Sequence, residues 1–457
     1  MIDDVIYPLI LIVSILLTAQ GAIALYLMLY TWWQPRRLEA AASPARFLPP
    51  QLRFTAILPA RHEEEVIAGT IARVWAANYP RELLEVVLVC EQGDEGTIAE
   101  GHAACAQIDH PNVRVITFND GPINKPHGLN HALRYTSHEI VTIFDAEDDV
   151  HPDIFQIINT VMLRQHAPIV QAGVQLMDFR STWFAVHNVL EYFFWFKSRL
   201  HFHARIGMVP LGGNTVFMER RFLELAGGWD EACLTEDADI GIRLSTRGVK
   251  VAVTYDATHA TREETPPSAR DFIKQRTRWN QGFLQVLRKG EWRRYPKWGQ
   301  RWLAAFTLSY PFVQAAFGLL WPITFVMVFT VKMPVGLAMI SFLPLYTFCF
   351  QFLAGFIGLL EFGRAYGEPV RVRDFAHYIF GFLPYQFLLG FGALRSVYRE
   401  LRGLKNWEKT AHTGAHRPGV DGDGTIDIAH PLVGALRHEP IIFQPATPMQ
   451  EERYERA

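Results

Sequence analysis

The stretch Ile140-Val-Thr-Ile-Phe-Asp-Ala-Glu-Asp148 decides the fold. A short run of apolar and β-branched residues ends abruptly in a cluster of carboxylates. A run of this length with no polar face reads as a strand buried on both sides. Asp145 then stands at the carboxyl end of that strand, where open α/β sheets bind their ligands. Upstream, Phe54-Thr-Ala-Ile-Leu58, Leu84–Val89 and Val113–Phe118 read as strands of the same kind, with a helix over Glu63–Ala77 and further helices between the others. Strands alternating with helices predict an α/β fold: a mostly parallel sheet covered on both faces.

Composition narrows the function classes. The 457 residues carry 44 Lys+Arg against 46 Asp+Glu, so net charge gives no argument for nucleic acid as a partner. Cys90, Cys105, Cys233 and Cys349 are scattered. They suit a reducing environment or core packing, not a disulfide framework or a zinc spacing.

The apolar residues concentrate at the two ends of the chain. Val5 to Tyr30 carry no charge, enough to cross a bilayer core of roughly 30 Å. No basic region precedes this stretch and no small-residue cleavage site follows, so it reads as a retained anchor. Asp3 and Asp4 before it and Arg36 and Arg37 after it put the following domain in the cytosol. Apolar stretches recur at 304–331, 334–360 and 375–394, the first two as a hairpin around Lys332 and Met333. The third raises a conflict. If it spans, Arg395, Arg399, Arg402, Lys405 and Lys409 fall outside, against the positive-inside rule; His377, Pro384 and Gln386 suit a re-entrant or interfacial helix instead. Residues 181–203 are aromatic but too polar to span. They fit either a membrane interface or an amphipathic helix packed on the sheet. The domain plan is therefore an anchor at 1–35, a Pro- and Ala-rich linker at 36–51, a cytosolic catalytic domain at 52–300, transmembrane or interfacial helices at 301–396 and a loose cytosolic tail at 397–457. The expected location is the cell inner (plasma) membrane, crossed more than once.

Four clusters carry chemistry. Asp145, Glu147 and Asp148 can bind a hard cation such as Mg²⁺ or Mn²⁺, which would neutralise a diphosphate leaving group; the alternative is a solvated acidic turn. In Thr235-Glu236-Asp237, a carboxylate near an acceptor hydroxyl can take its proton, while Thr235 or Asp237 can equally cap a helix. In Gln275-Arg-Thr-Arg278-Trp279 the first, fourth and fifth residues share a helical face. Arg278 can grip a diphosphate and Trp279 can offer a flat face to a sugar. The alternative is a basic interfacial helix with a Trp anchor. Finally, Lys125 is a candidate phosphate contact, and Gly212-Gly213-Asn214 lets backbone approach a ligand closely.

In this order, these motifs resemble the processive, membrane-embedded family-2 glycosyltransferases, the group of cellulose, hyaluronan and chitin-type synthases. The resemblance covers about residues 53–285, and it extends to Pro59-Ala-Arg-His-Glu-Glu64, Gly227-Gly228-Trp229-Asp230 and Trp407-Glu-Lys-Thr410. It implies a GT-A domain, a Rossmann-like fold. It assigns Asp145 and Glu147 to the metal position, Asp237 to the catalytic base with Glu236 beside it, and Pro59 and Glu63 to the nucleotide-base loop. Glu91 reads uridine, Arg278 lies near the diphosphate and Trp279 near the acceptor. Two departures stand out: Cys90-Glu91 replaces Asp-Asp, and Glu147 replaces the second metal-position Asp, with Asp148 as a substitute ligand. The implied reaction is inverting transfer of a sugar from a nucleotide-sugar, a UDP-sugar by resemblance, to a growing polysaccharide. The alternatives are a glycolipid synthase with a lipid acceptor and, from other classes, a glycoside hydrolase or a transporter.

Overall fold

The computed structural model describes residues 2–330 and 334–404, with Asn406 and Glu408. Trp407, Lys409 and Thr410, and the tail from 412 on, lie outside the described residues.

The chain opens with α1 (Ile2–Met28), then α2 (Tyr30–Trp33) and α3 (Pro35–Ala41). Pro35 starts α3 because proline lacks the N–H an interior helical turn needs but suits the first turn. The expected linker is thus partly helical, and its extended part is laced onto the domain. Leu48 N donates to Thr160 Oγ1 (2.9 Å) and Asn159 Nδ2 donates to the Pro49 carbonyl (3.1 Å).

The sheet then builds in βα units: β1 (Phe54–Pro59), α4 (Ile67–Trp75), β2 (Leu84–Glu91), α5 (Glu95–Ile108), β3 (Val113–Phe118), α6 (Lys125–Leu133) and β4 (Ile140–Ile143). Next come α7 (Ile154–Gln165), β5 (Ile169–Ala172), β6 (Val174–Leu176), α8 (Ala185–Phe194), α9 (Leu200–Ile206), β7 (Val216–Glu219), α10 (Arg220–Ala226), α11 (Glu236–Thr246), β8 (Val251–Thr254) and β9 (Thr261–Glu263). The remainder is helical: α12 (Ala269–Lys289), α13 (Trp298–Thr330), α14 (Val335–Ser341), α15 (Leu343–Ala365) and α16 (Val372–Leu401).

Seven strands form the main sheet in the order β3-β2-β1-β4-β7-β5-β8. It is parallel except at β7, which runs against both β4 and β5. A second, two-stranded sheet pairs β6 with β9. The central strands carry no polar face because both faces are covered. Ala56, Leu58, Val86 and Leu88 enter one core, while Ile57, Val87 and Val89 enter the other. The helix expected from Glu63 starts only at Ile67. Its first turn is replaced by a loop whose N–H groups are taken from outside: His62 N donates to Asp94 Oδ2 (2.7 Å) and Glu63 N to Thr97 Oγ1 (2.9 Å).

Residues 181–203 form a packed helix, α8 running through a π-turn into α9. Phe184 and Phe193 are fully buried. Their rings meet Phe272 of α12 and Phe362 of α15. Two helical segments are long and apolar enough to cross a membrane, Tyr7–Met28 and Val335–Ala365. The third C-terminal stretch lies in the long helix α16. Near the start of α16, Asp374 accepts from Arg180 (2.9 Å), which precedes α8. Near its end, Arg399 donates to Gln281 Oε1 (3.1 Å) and Glu400 accepts from Arg288 (2.7 Å), both on α12. Both ends of α16 are thus hydrogen-bonded to the segment that carries α8 and α12.

Candidate active site

The carboxyl ends of β1 and β2 deliver Pro59 and Glu91, and Asp145 stands two residues after the end of β4. Glu63 comes from the loop after β1 and Glu147 from the turn after β4. Gly213 precedes β7, Glu236 and Asp237 open α11, and Gln275, Arg278 and Trp279 lie on α12. All of them, with Lys125, line one cavity of about 460 Å³. Asp145 and Arg278 therefore face a common space.

Lys125, at the first turn of α6, ties the middle of this cavity together. Its ammonium contacts Asp145 and donates to the Gly213 carbonyl (3.1 Å). Burial alone would lower its pKa, but Asp145, Glu236 and Asp237 more than offset that and raise it, so the group stays charged. Gly213 is required by close approach: a Cβ there would lie 3.2 Å from Asp237 Oδ2 and 3.5 Å from Lys125 Nζ.

Glu236 and Asp237 form the first turn of α11, where the helix dipole favours negative charge. Thr235 occupies the cap position, yet its side chain makes no capping bond. It is pressed against α12 instead. A Cβ at Gly282 would lie 2.6 Å from Thr235 N, so glycine there lets α12 touch the acidic turn. The Glu236 carboxyl is pushed up to about 7 by burial and by the neighbouring Asp237 charge. Asp237 is also raised by burial, against the pull of the Ala238 N–H, Lys125 and Arg278. A buried carboxylate with a raised pKa suits proton acceptance near neutral pH.

The structure departs from the sequence expectation at Asp148. Its side chain is fully buried and does not line the cavity. It accepts from Asp145 N (2.8 Å) and from Asn214 Nδ2 (2.9 Å), and so shapes the turn that presents Asp145 and Glu147. In its place the fold brings Glu263, at the end of β9. Glu263 lines the cavity, accepts from Asn214, and is pushed up to about 8 by burial and by the charges of Glu147 and Asp145. Nothing in Thr-Arg-Glu-Glu-Thr at 261–265 signals this; only the pairing of β9 with β6 delivers it. Asp145, Glu147 and Glu263 make an all-oxygen set with mutually repelling charge, the chemistry a hard divalent cation fits.

Arg276, inside the Gln-x-x-Arg-Trp motif, was also missed. It donates to Asn188 Oδ1 (2.6 Å), pairs with Glu191 (2.6 Å) and stacks over the rings of Phe272 (4.8 Å) and Trp279 (4.9 Å). These contacts fix the Trp279 ring at the cavity wall. The lining also includes apolar and aromatic residues, Ala24 and Leu27 of α1, Trp195 and Phe196, and Phe306 and Tyr310 of α13, with Glu191, Arg199 and Gln314 among them.

This sheet and its cavity define a GT-A glycosyltransferase domain. Residues 49–282 match the family described as "Glycosyltransferase like family 2", and the chain belongs to that family. It is 26% identical over 241 residues to a beta-monoglucosyldiacylglycerol synthase of Trichormus variabilis, covering 51% of this chain and 50% of that protein. It is 22% identical over 252 residues to a probable glycosyltransferase, YdaM, of Bacillus subtilis, covering 52% and 56%. The chain thus spans about half the length of the curated relatives it matches. Among solved structures, it is similar to the mannosyltransferase PcManGT of Pyrobaculum calidifontis in complex with GDP-Man and Mn²⁺, at a TM-score of 0.52 and 18% identity over 86% of this chain and 99% of that one. At that identity the likeness establishes the fold.

Proposed function

We propose that this protein transfers a sugar from a nucleotide-sugar to a lipid acceptor at a membrane surface. The carrying observation is the mixed lining of one cavity, in which Asp145, Glu147, Lys125, Asp237 and Arg278 share a space with apolar and aromatic residues of α1, α13 and the α8–α9 turn. The charged groups suit a polar donor, and the apolar ones suit an acceptor with a hydroxyl head and apolar tail. The glycolipid-synthase relatives support this acceptor over the growing polysaccharide that the Gln-x-x-Arg-Trp motif suggests. Trp279 in the same cavity suits either, so the polymer reading remains the second one.

In the proposed reaction the acceptor hydroxyl gives its proton to Asp237, and its oxygen attacks the anomeric carbon as the bond to the nucleoside diphosphate breaks. Arg278 stabilises the charge that builds on the departing diphosphate, and Lys125 orients Asp145. Asp145 and Glu147, with Glu263, would hold a divalent cation, whose bound charge neutralises the diphosphate. The domain plan follows: 1–35 as anchor, 52–300 as the catalytic unit on the cytosolic face, and 301–396 as the helical bed under the acceptor. The test is purified protein in lipid vesicles containing diacylglycerol, supplied in turn with radiolabelled UDP-sugars and GDP-mannose. Label in the organic extract is expected. Label confined to a water-soluble polymer would replace the lipid reading with the polysaccharide one, and nucleotide release without labelled product would point to hydrolysis.

A further inference from the structure

Outside the cavity, the corner between β3 and α6 gathers Asp120, His127 and His131. The two histidines stand one turn apart on α6 and share a face. One ligand atom from each of the three residues lies within 4.8 Å of the others. Asp120 Oδ1 is 3.6 Å from His127 Nε2 and 3.7 Å from His131 Nδ1. Both of those ring nitrogens are buried and have no hydrogen-bond partner. His127 is only 5% exposed. A buried imidazole nitrogen without a partner loses its hydration for nothing unless a ligand takes it.

The other nitrogen of His127 is provided for. Nδ1 lies 3.0 Å from Glu231 Oε2, and the second Glu231 oxygen accepts from Asn130 Nδ2 (2.9 Å). A carboxylate on one imidazole nitrogen fixes the proton there and turns the other lone pair outward, the arrangement found behind metal-bound histidines. Phe118 walls the site, its ring meeting both imidazoles edge-on or tilted. Gly121 has φ +71°, and a Cβ there would collide with the His127 ring, so glycine lets the Asp120 loop fold over it.

We propose that Asp120, His127 and His131 bind a borderline divalent transition ion, Zn²⁺ by its chemistry. Two imidazoles and a carboxylate form a set suited to zinc, and bonds near 2.0–2.1 Å place tetrahedral ligand atoms about 3.3 Å apart. The separations from Asp120 need to close by only a few tenths of an ångström. The site is chemically unlike the all-oxygen set around Asp145, so the two select different ions. Its place gives it a consequence. It fastens the Asp120 loop to α6, whose cap Asn124 and first residue Lys125 line the cavity.

The test titrates ZnCl₂ into the full-length protein by calorimetry with excess Mg²⁺ present, and repeats it with Co²⁺ as a visible reporter of tetrahedral geometry. Wild type and Asp145→Asn should each bind one Zn²⁺, with a rise in melting temperature and tetrahedral cobalt bands. His127→Gln with His131→Gln should lose all three signals while circular dichroism stays unchanged. Glu231→Gln should weaken binding about 10–100-fold. Absence of saturable zinc binding in wild type, or unchanged binding in the double variant, overturns the proposal. A zinc-insensitive melting temperature would mean that Asp120 only pairs with the imidazoles when they are protonated.

Discussion

At the tip of β4, Asp148 is held by a neutral amide and a backbone N–H, whereas on α11 Asp239 sits between two cations. Asp148 accepts from Asn214 and from Asp145 N. Asp239 pairs with Arg243 and Lys289, each at 2.7 Å. Both carboxylates are buried, and each stands beside acids that face the cavity. In each cluster one carboxylate builds the turn while its neighbours are left for chemistry. The difference lies in the charge balance. Cations neutralise Asp239 within the scaffold. Asp148 accepts from amide groups, and its pKa rises well above the usual value through burial and then the Glu263 and Asp145 charges. Around the β4 turn Lys125 reaches Asp145, while Glu147 and Glu263 add further negative charge that suits a divalent cation; at Asp239 two protein cations already fill that role.

The sharpest way to break this comparison is at the cavity-facing members. Asp237→Asn should cut sugar transfer by about 10²–10⁴-fold while leaving donor binding intact, read by product formation beside nucleotide binding. Transfer near the wild-type rate would remove Asp237 from the role of base. Chelation of divalent ions should likewise stop transfer, with recovery on adding Mn²⁺ or Mg²⁺. Activity untouched by a chelator would mean that the β4 cluster needs no cation.

The scaffold members should separate next. Asp239→Ala removes a charged partner shared by Arg243 and Lys289, which keep the Ala226 and Gly228 carbonyls and Asp230, and is expected to cost about 2 kcal/mol, measured by denaturant unfolding. Asp148→Asn keeps an acceptor for Asn214 and replaces a carboxyl whose burial already favours its neutral form, so it should be tolerated in the metal-free protein. The sign follows from linkage. A carboxyl with a folded pKa raised above its ordinary 3.8 holds a proton that the unfolded chain has lost, so stability falls as pH rises above that value. Asp148→Asn should flatten this slope, and a steeper slope in the variant would contradict the assignment. The smallest effect belongs to Arg288, next to Lys289 on the same helix but 71% exposed in its pair with Glu400. Arg288→Ala should change stability by less than about 1 kcal/mol, since water and salt screen such pairs.

Much of the site was legible because its chemistry needs particular side chains in a particular order. Each residue given a metal, base or substrate role from the motifs, Asp148 excepted, lines the cavity. Asp148 was indistinguishable from its neighbours in sequence, since one turn decides which carboxylate faces in. Glu263 was invisible because no motif surrounds it. The zinc-type spacing of His127 and His131 was in plain view in Lys-Pro-His-Gly-Leu-Asn-His, but Asp120 and the buried state of their nitrogens were not.

The sequence by itself determined the strand–helix alternation, the buried character of the central strands and the kinds of group at the site. Those follow from local periodicity and from the chemistry of single side chains. Only the tertiary structure decided the reversal of β7, the packing of both ends of α16 on distant segments and the gathering of charged and apolar residues in a single cavity. Each depends on contacts between residues far apart in the chain, such as Arg180 with Asp374 or Gly282 against Thr235, and local patterns do not encode which distant partner a side chain will meet.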